Sequence, residues 1–291
     1  MLYCPTRLER PDTLLEAAKI LSEKHGTARL VAGATTLYDL AQNEGLDDVK
    51  TLIDVSRLGL DYIIESDNGL KIGAATTFSE IAGYELSPKR GLDALFETAA
   101  KITPPQVRNM ATMGGALCCG IPFLDMPTTV LALGDEIEAL SVRGTRKIHP
   151  KNHFLDYFQT SIEADEILTS VRFPYSMGKA GSSFVKLGRV SIDFAVVNVA
   201  SLIVLDESGE CKEARVALGA VATTPIRWET LEKKLVGTRL NHDVIVNLMK
   251  EHRIDFEPSP SLHAPDEYKK LVIPKLVRDS LLGSVGRSSA G

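Results

Sequence analysis

Val31-Ala32-Gly33-Ala34-Thr35-Thr36-Leu37 (VAGATTL) decides how the amino-terminal part of this chain is read. It follows the short apolar run Ala28 to Ala32 (ARLVA), a buried strand by composition, and it leads into a helical pattern from Leu37 to Gln42. The unit is therefore strand, small-residue loop and helix. In such a loop successive backbone N–H groups can converge on an anion, and the following helix N-terminus adds positive potential without any lysine. Thr35 and Thr36 add hydroxyl donors. A lone glycine after a strand also serves any tight turn, so this stretch by itself leaves both readings open.

A second stretch, Ala111 to Ala116 (ATMGGA), places Gly114 and Gly115 side by side within NMATMGGALCCGIPFLDMP, a run with little bulk near the backbone. A loop of this kind suits contact with something flat or phosphorylated, and a hairpin or bulge is the alternative. Neither stretch carries GxGxxG or a phosphate loop ending in GK and Ser or Thr. Asp125, in IPFLDMP at the start of an apolar helix, reads either as an N-cap or as a carboxylate accepting from ligand hydroxyls.

Around these stretches Thr13 and Glu16 fit a capping box before a helix with Leu14, Leu15, Ala18 and Leu21 on one face. Strands are predicted at Thr51 to Val55, Leu70 to Ala74, Glu136 to Val142 and Ile167 to Phe173, with helices at Leu92 to Ala100 and Asp125 to Leu133. PYSMGKAGSS reads as a boundary loop. Beyond it come strands at Ser183 to Lys186, Phe194 to Leu205 and Cys211 to Ala217, then helices around Trp228 to Leu235, His242 to Lys250 and Pro265 to Leu282.

The 291 residues suffice for two or three packed lobes, and 44% hydrophobic with 24% charged residues is an ordinary globular composition. A net charge of -5 and the lack of a basic stripe exclude a broad nucleic-acid footprint. The longest apolar run, Ala195 to Leu205, is broken by Asn198 and Ser201 and is too short to span a bilayer. The opening MLYCPTRLERPD lacks the apolar core of a signal peptide, so a cytoplasmic location is expected. Cys4, Cys118, Cys119 and Cys211 form no CxxC pair, and the six histidines are dispersed, which offers neither a metal site nor a catalytic nucleophile. Adjacent Cys118 and Cys119 read as a redox pair or as two small reduced thiols beside a buried loop.

VAGATTL, LIDVSRL, LKIGAATT, VRNMATMGGAL ending in FLDMP, and FVKLGR followed by DFAVVNVA together resemble one family over nearly the whole chain. It is the FAD-binding medium subunit of molybdenum hydroxylases, similar to that of carbon monoxide dehydrogenase and to the flavin domain of xanthine dehydrogenase. The resemblance implies an α+β fold: a two-subdomain FAD-binding fold of the vanillyl-alcohol-oxidase/PCMH type, then a C-terminal three-stranded antiparallel sheet with helices. The expected division is 1–175 for the FAD-binding domain, with subdomains about 1–56 and 57–175, then 176–282 for the C-terminal domain and 283–291 for a flexible tail.

By the same resemblance Leu30, Val31, Ala32, Gly33, Ala34, Thr35, Thr36 and Leu37 hold the FAD diphosphate, and Thr112, Met113, Gly114, Gly115 and Ala116 also contact the cofactor. Asp125 matches the family's aspartate, Leu168 and Lys186 match positions beside the flavin, and Ile102 matches one lining the same cleft. Lys186 is otherwise an ordinary strand lysine; near a flavin, a cation stabilises the anionic reduced ring. Arg189 carries the same two readings. No metal ligand and no catalytic residue is assigned to this chain. It departs from its relatives at Ala34, where a second glycine is common, at Ala116 in place of asparagine, and at Val190 in place of a second arginine.

The resemblance further implies partners. A molybdenum-cofactor large subunit oxidises a small substrate, a small subunit with two-iron two-sulfur clusters relays the electrons, and noncovalently held FAD passes them to NAD or another acceptor. The chief alternative is a self-contained flavoenzyme on the same FAD fold, and a third class is an assembly protein that keeps the fold without the cofactor.

Overall fold

The computed structural model describes residues 7–24, 26–37, 48–88, 90–261 and 264–290. The expected helix after VAGATTL begins within them, residues 35–37 being helical, and its continuation through 38–42 lies outside the described residues.

The first lobe is a small parallel sheet, with β1 (Arg7–Glu9) and β2 (Ala28–Val31) on either side of β3 (Thr51–Asp54). Between β1 and β2 runs α1 (Leu14–Lys24), which buries Ala17, Ala18 and Leu21. Its start is fixed as its sequence predicts: Thr13 Oγ1 accepts from the Glu16 N–H at 3.2 Å, while the Glu16 carboxylate accepts from the Asp12 N–H at 2.9 Å. This parallel arrangement delivers the C-terminal end of β2 straight into the first small-residue loop.

The second lobe opens with β4 (Ile63–Ser66) and β5 (Gly69–Gly73), then five short helices: α2 (Phe78–Gly83), α3 (Asp93–Lys101), α4 (Pro105–Arg108), α5 (Met113–Cys118) and α6 (Asp125–Leu133). After them come β6 (Glu136–Ser141), β7 (Gly144–Ile148), the hairpin β8 (Phe154–Asp156) and β9 (Gln159–Thr160), and β10 (Ile167–Pro174). The antiparallel sheet runs β4-β5-β10-β6-β7. Every residue of α6 is buried, as its DMPTTVLAL sequence requires.

Three long antiparallel strands follow, β11 (Lys179–Leu187), β12 (Val197–Leu205) and β13 (Cys211–Gly219), with the two-residue β14 (Ile226–Arg227) added at the β13 edge. Helices α7 (Glu229–Leu235), α8 (His242–Glu251) and α9 (Asp266–Ala290) complete the chain. All nine positions of β12 are buried, because both its faces are covered. Ala200, Leu202 and Val204 join the core of the first two lobes, whereas Val199, Ile203 and Leu205 join a second core with Trp228, Ile273 and Val277. The period of two along one strand thus welds the C-terminal layer to the rest.

The expected flexible tail from Gly283 is corrected by the structure: α9 continues to Ala290. GSVGRSSAG is small because α9 lies almost in contact with the sheet. A Cβ on Gly181 would sit 2.3 Å from Ser284 O, and one on Gly283 would sit 2.6 Å from Ser183 Oγ. Ser284 Oγ donates to Ser201 O at 3.1 Å, and Arg287 pairs with Glu97 of α3. Among the described residues no helix is long and apolar enough to cross a membrane.

Candidate cofactor-binding site

The two small-residue stretches come together. Gly33 follows β2 and presses on the segment before α5, since a Cβ there would lie 1.6 Å from Met110 O. Only glycine permits that approach. Cys119 Sγ donates to Gly115 O at 2.8 Å, and Thr36 of the first stretch lies beside the same thiol. Burial pushes the Cys119 thiol above its ordinary value, and Cys118 and Cys119 are both free thiols.

Their backbone groups differ in availability. Among the described residues, the N–H groups of Gly33 and Ala34 have no hydrogen-bond partner. Those of the second stretch are occupied by protein except at Thr112, and Ala111 N–H donates to Val107 O at 2.7 Å. Met113 N–H donates to Thr76 O at 3.0 Å, Gly114 to Ala74 O at 2.8 Å and Ala116 to Thr112 O at 3.0 Å. Gly115 N–H donates to Thr112 Oγ1 at 3.1 Å. The stretch expected to be a loop is the capped start of α5, with Thr112 as its N-cap. It offers a ligand its shape and the single N–H of Thr112, and the substitution of Ala116 for asparagine leaves that shape in place.

Gly114 and Gly115 also differ. Gly114 is buried against Ala74, where a Cβ would meet the Ala74 Cβ at 2.7 Å; its smallness serves packing. Gly115 is exposed and has only Thr112 Oγ1 near, at 3.0 Å. Ala34 adopts a φ of 57°, a left-handed conformation that glycine would enter more easily.

The wall continues through α3. Arg108 Nη1 donates to Ala100 O at 3.2 Å and to Ile102 O at 3.3 Å, which fixes half-buried Ile102 at the helix end. Next to it Lys101 Nζ donates to Phe184 O of β11 at 2.6 Å. On the same strand Lys186 Nζ lies 2.7 Å from Asp125 Oδ2, and Asn198 Nδ2 donates to Asp125 Oδ1 at 2.9 Å. Leu124 is the residue that caps α6, so Asp125 is not the N-cap; both its oxygens are engaged inside the protein. Burial pushes the Asp125 carboxyl upward, and Lys186 and Asn198 oppose that push.

Leu168 lies in the core that Ile102 and Ala116 pack against. It is buried at a bulge of β10, and its neighbour Thr169 accepts from the Ala74 N–H at 2.9 Å, behind the α5 glycines. The structure adds Asn198 and Thr128, which are buried beneath Asp125, and the Phe123–Phe194 pair at 4.9 Å, whose Phe194 is exposed. A polar residue inside the apolar run of β12 was the signal for Asn198.

An anionic diphosphate bearing an apolar ring fits these residues: free amides at Gly33 and Ala34, an open surface at Gly115, and an ammonium at Lys186. Comparison with known proteins agrees. The family described as FAD binding domain in molybdopterin dehydrogenase matches residues 5–176, and that described as CO dehydrogenase flavoprotein C-terminal domain matches 182–283. The alpha subunit of the 6-hydroxypseudooxynicotine dehydrogenase complex of Paenarthrobacter nicotinovorans is 30% identical over 95% of this chain and 93% of its own. The carbon monoxide dehydrogenase medium chain of Afipia carboxidovorans is 30% identical over 89% and 90%. The solved structure of reconstituted CO dehydrogenase from Oligotropha carboxidovorans superposes with a TM-score of 0.90 at 28% identity, covering 99% of this chain and 100% of that one. This chain belongs to the family of FAD-binding subunits of molybdopterin dehydrogenases.

Proposed function

We propose that this chain is the electron-transfer subunit of a heteromeric molybdenum hydroxylase. It takes electrons from iron–sulfur clusters of a small partner subunit and passes them to NAD or another acceptor, while a large subunit carries the molybdenum cofactor and chooses the substrate. In this reading residues 1–175 hold the FAD, residues 176–282 close the flavin side of the cleft, and the complex works in the cytoplasm. The observation that carries it is the match of both halves of the chain, in order, to the two flavoprotein halves of such enzymes.

When bound, FAD supplies the redox chemistry. The chain's part is to bind and orient it. Gly33 and Ala34 direct amides at the diphosphate, residues 35–37 add the start of a helix, and exposed Gly115 keeps the facing surface bare. Lys186 brings a positive charge to the ring end, with Asp125 holding it. Ile102, and Phe194 at the rim, give the ring apolar neighbours.

The test is an anaerobic assay of the FAD-loaded chain with and without its partners. The chain alone should exchange electrons with NADH or a dye, and hydroxylation of an organic substrate should require the other subunits. Substrate turnover by the chain alone would overturn the reading.

A further inference from the structure

Asn198 lies on β12 opposite Lys186 in the antiparallel register with β11, and none of its surface is exposed. Its Nδ2 donates to Asp125 Oδ1 at 2.9 Å and to Leu124 O at 3.3 Å, while its Oδ1 accepts from Thr128 Oγ1 at 2.7 Å. A carboxylate can only accept, so the amide has one permitted orientation. Room for this arrangement is kept by Gly219, where a Cβ would lie 2.3 Å from Asn198 Oδ1 and 2.1 Å from Thr128 Oγ1.

Asn198 therefore occupies one oxygen of Asp125 and leaves the other to Lys186, whose side chain is 14% exposed. Without Asn198 the carboxylate could turn both oxygens to the ammonium and draw it inward. With it, Lys186 is held at a single point and keeps two further N–H donors for the cleft. Thr128, one turn along α6 from Asp125, locks the amide from behind.

We propose that Asn198, backed by Thr128, is a positioning residue that aims the Lys186 ammonium at the flavin; this rests on the reading of the cleft as the FAD site. Reduction of the flavin by two electrons with uptake of one proton leaves one negative charge on the ring, and a cation held at fixed distance favours that form. Asn198 acts on the ring through Lys186 and touches no reacting atom.

The test is the midpoint potential of FAD bound to the full-length chain, measured by dye-equilibrated reductive titration. Lys186→Met should make reduction about tenfold less favourable, a fall of about 30 mV for a two-electron couple. Asn198→Leu and Thr128→Val should move the potential in the same direction by part of that amount. The double variant Asn198→Leu with Lys186→Met should fall no further than Lys186→Met alone, because the residues act as one unit. Thr128→Val preserves shape and burial, and decides the matter where Asn198→Leu does not fold. Wild-type potentials in the Thr128 and Asn198 variants, or an effect that adds in full to that of Lys186→Met, would remove the positioning role while the FAD site stands. An unchanged potential in Lys186→Met would overturn the placement of the flavin at this wall, and the proposal with it.

Discussion

Lys186 Nζ of β11 lies 2.7 Å from Asp125 Oδ2 of α6, an ion pair between two layers of the molecule with side chains 14% and 5% exposed. Removing one partner strands the other charge out of water. Asp125→Ala should therefore destabilise the folded chain by about 3 kcal/mol or more, measured by urea denaturation without added FAD. A loss below about 1 kcal/mol is what an exposed pair gives, and would contradict the buried assignment.

The two adjacent glycines should separate in their effects. Gly114→Ala drives a Cβ to within 2.7 Å of the Ala74 Cβ, so it should lower the melting temperature whether or not FAD is present. Gly115→Val points a side chain away from the core from an exposed position, and should leave the fold intact while lowering FAD retention after gel filtration. Equal behaviour of the two variants would contradict the division of roles.

Ala34 is held at a φ of 57°. The left-handed conformation costs a non-glycine residue about 1–2 kcal/mol, and glycine's greater freedom when unfolded returns about 0.4–1 kcal/mol of that. Ala34→Gly should thus gain up to about 1 kcal/mol of stability in thermal or chemical melts. A clear loss would show that the alanine methyl contributes packing of its own.

Much of this site was legible in the sequence, and the remainder was hidden for identifiable reasons. The helix Asp125–Leu133 has the bounds its apolar pattern predicts. The paired glycines of MGGA predict a loop where α5 stands; its one local sign of a helix is Thr112, whose hydroxyl caps Gly115. Strand β7, GTRKI, is exposed at four of its five residues and shows no alternation. The contact of Asp125 with Lys186 spans 61 positions and two layers, and no local pattern encodes it. The GSVGRSSAG segment misled by composition, since small residues serve close helix–sheet packing as readily as flexibility.

That packing makes the carboxy-terminal segment part of the core. Truncation after Leu282 removes buried Ser284 and Ser288 and the Arg287–Glu97 pair, and it uncovers Gly181. The shortened chain should melt at a lower temperature or aggregate. A full-length melting temperature would restore the flexible reading.

His153 is fully buried, with Nε2 3.2 Å from Leu117 O of α5 and Nδ1 3.2 Å from Ser161 Oγ. The carbonyl can only accept, so Nε2 carries a proton. Burial holds its pKa down at about 4, below the ordinary 6.5. With the folded value depressed, the stability it confers is complete above about pH 6.5 and falls away toward pH 4, by about 3 kcal/mol in all. His153→Gln should flatten that part of the stability–pH curve; an unchanged slope between pH 6.5 and 4 would assign the acid sensitivity elsewhere.

The central claim is that this flavoprotein works as one subunit of a molybdenum enzyme. Metal and flavin analysis of the complex purified from its native source tests it most directly. The account expects FAD released by acid from this chain, together with molybdenum and iron on two unlike partner subunits. A homo-oligomer containing FAD without molybdenum or iron, and turning over an organic substrate, would contradict it.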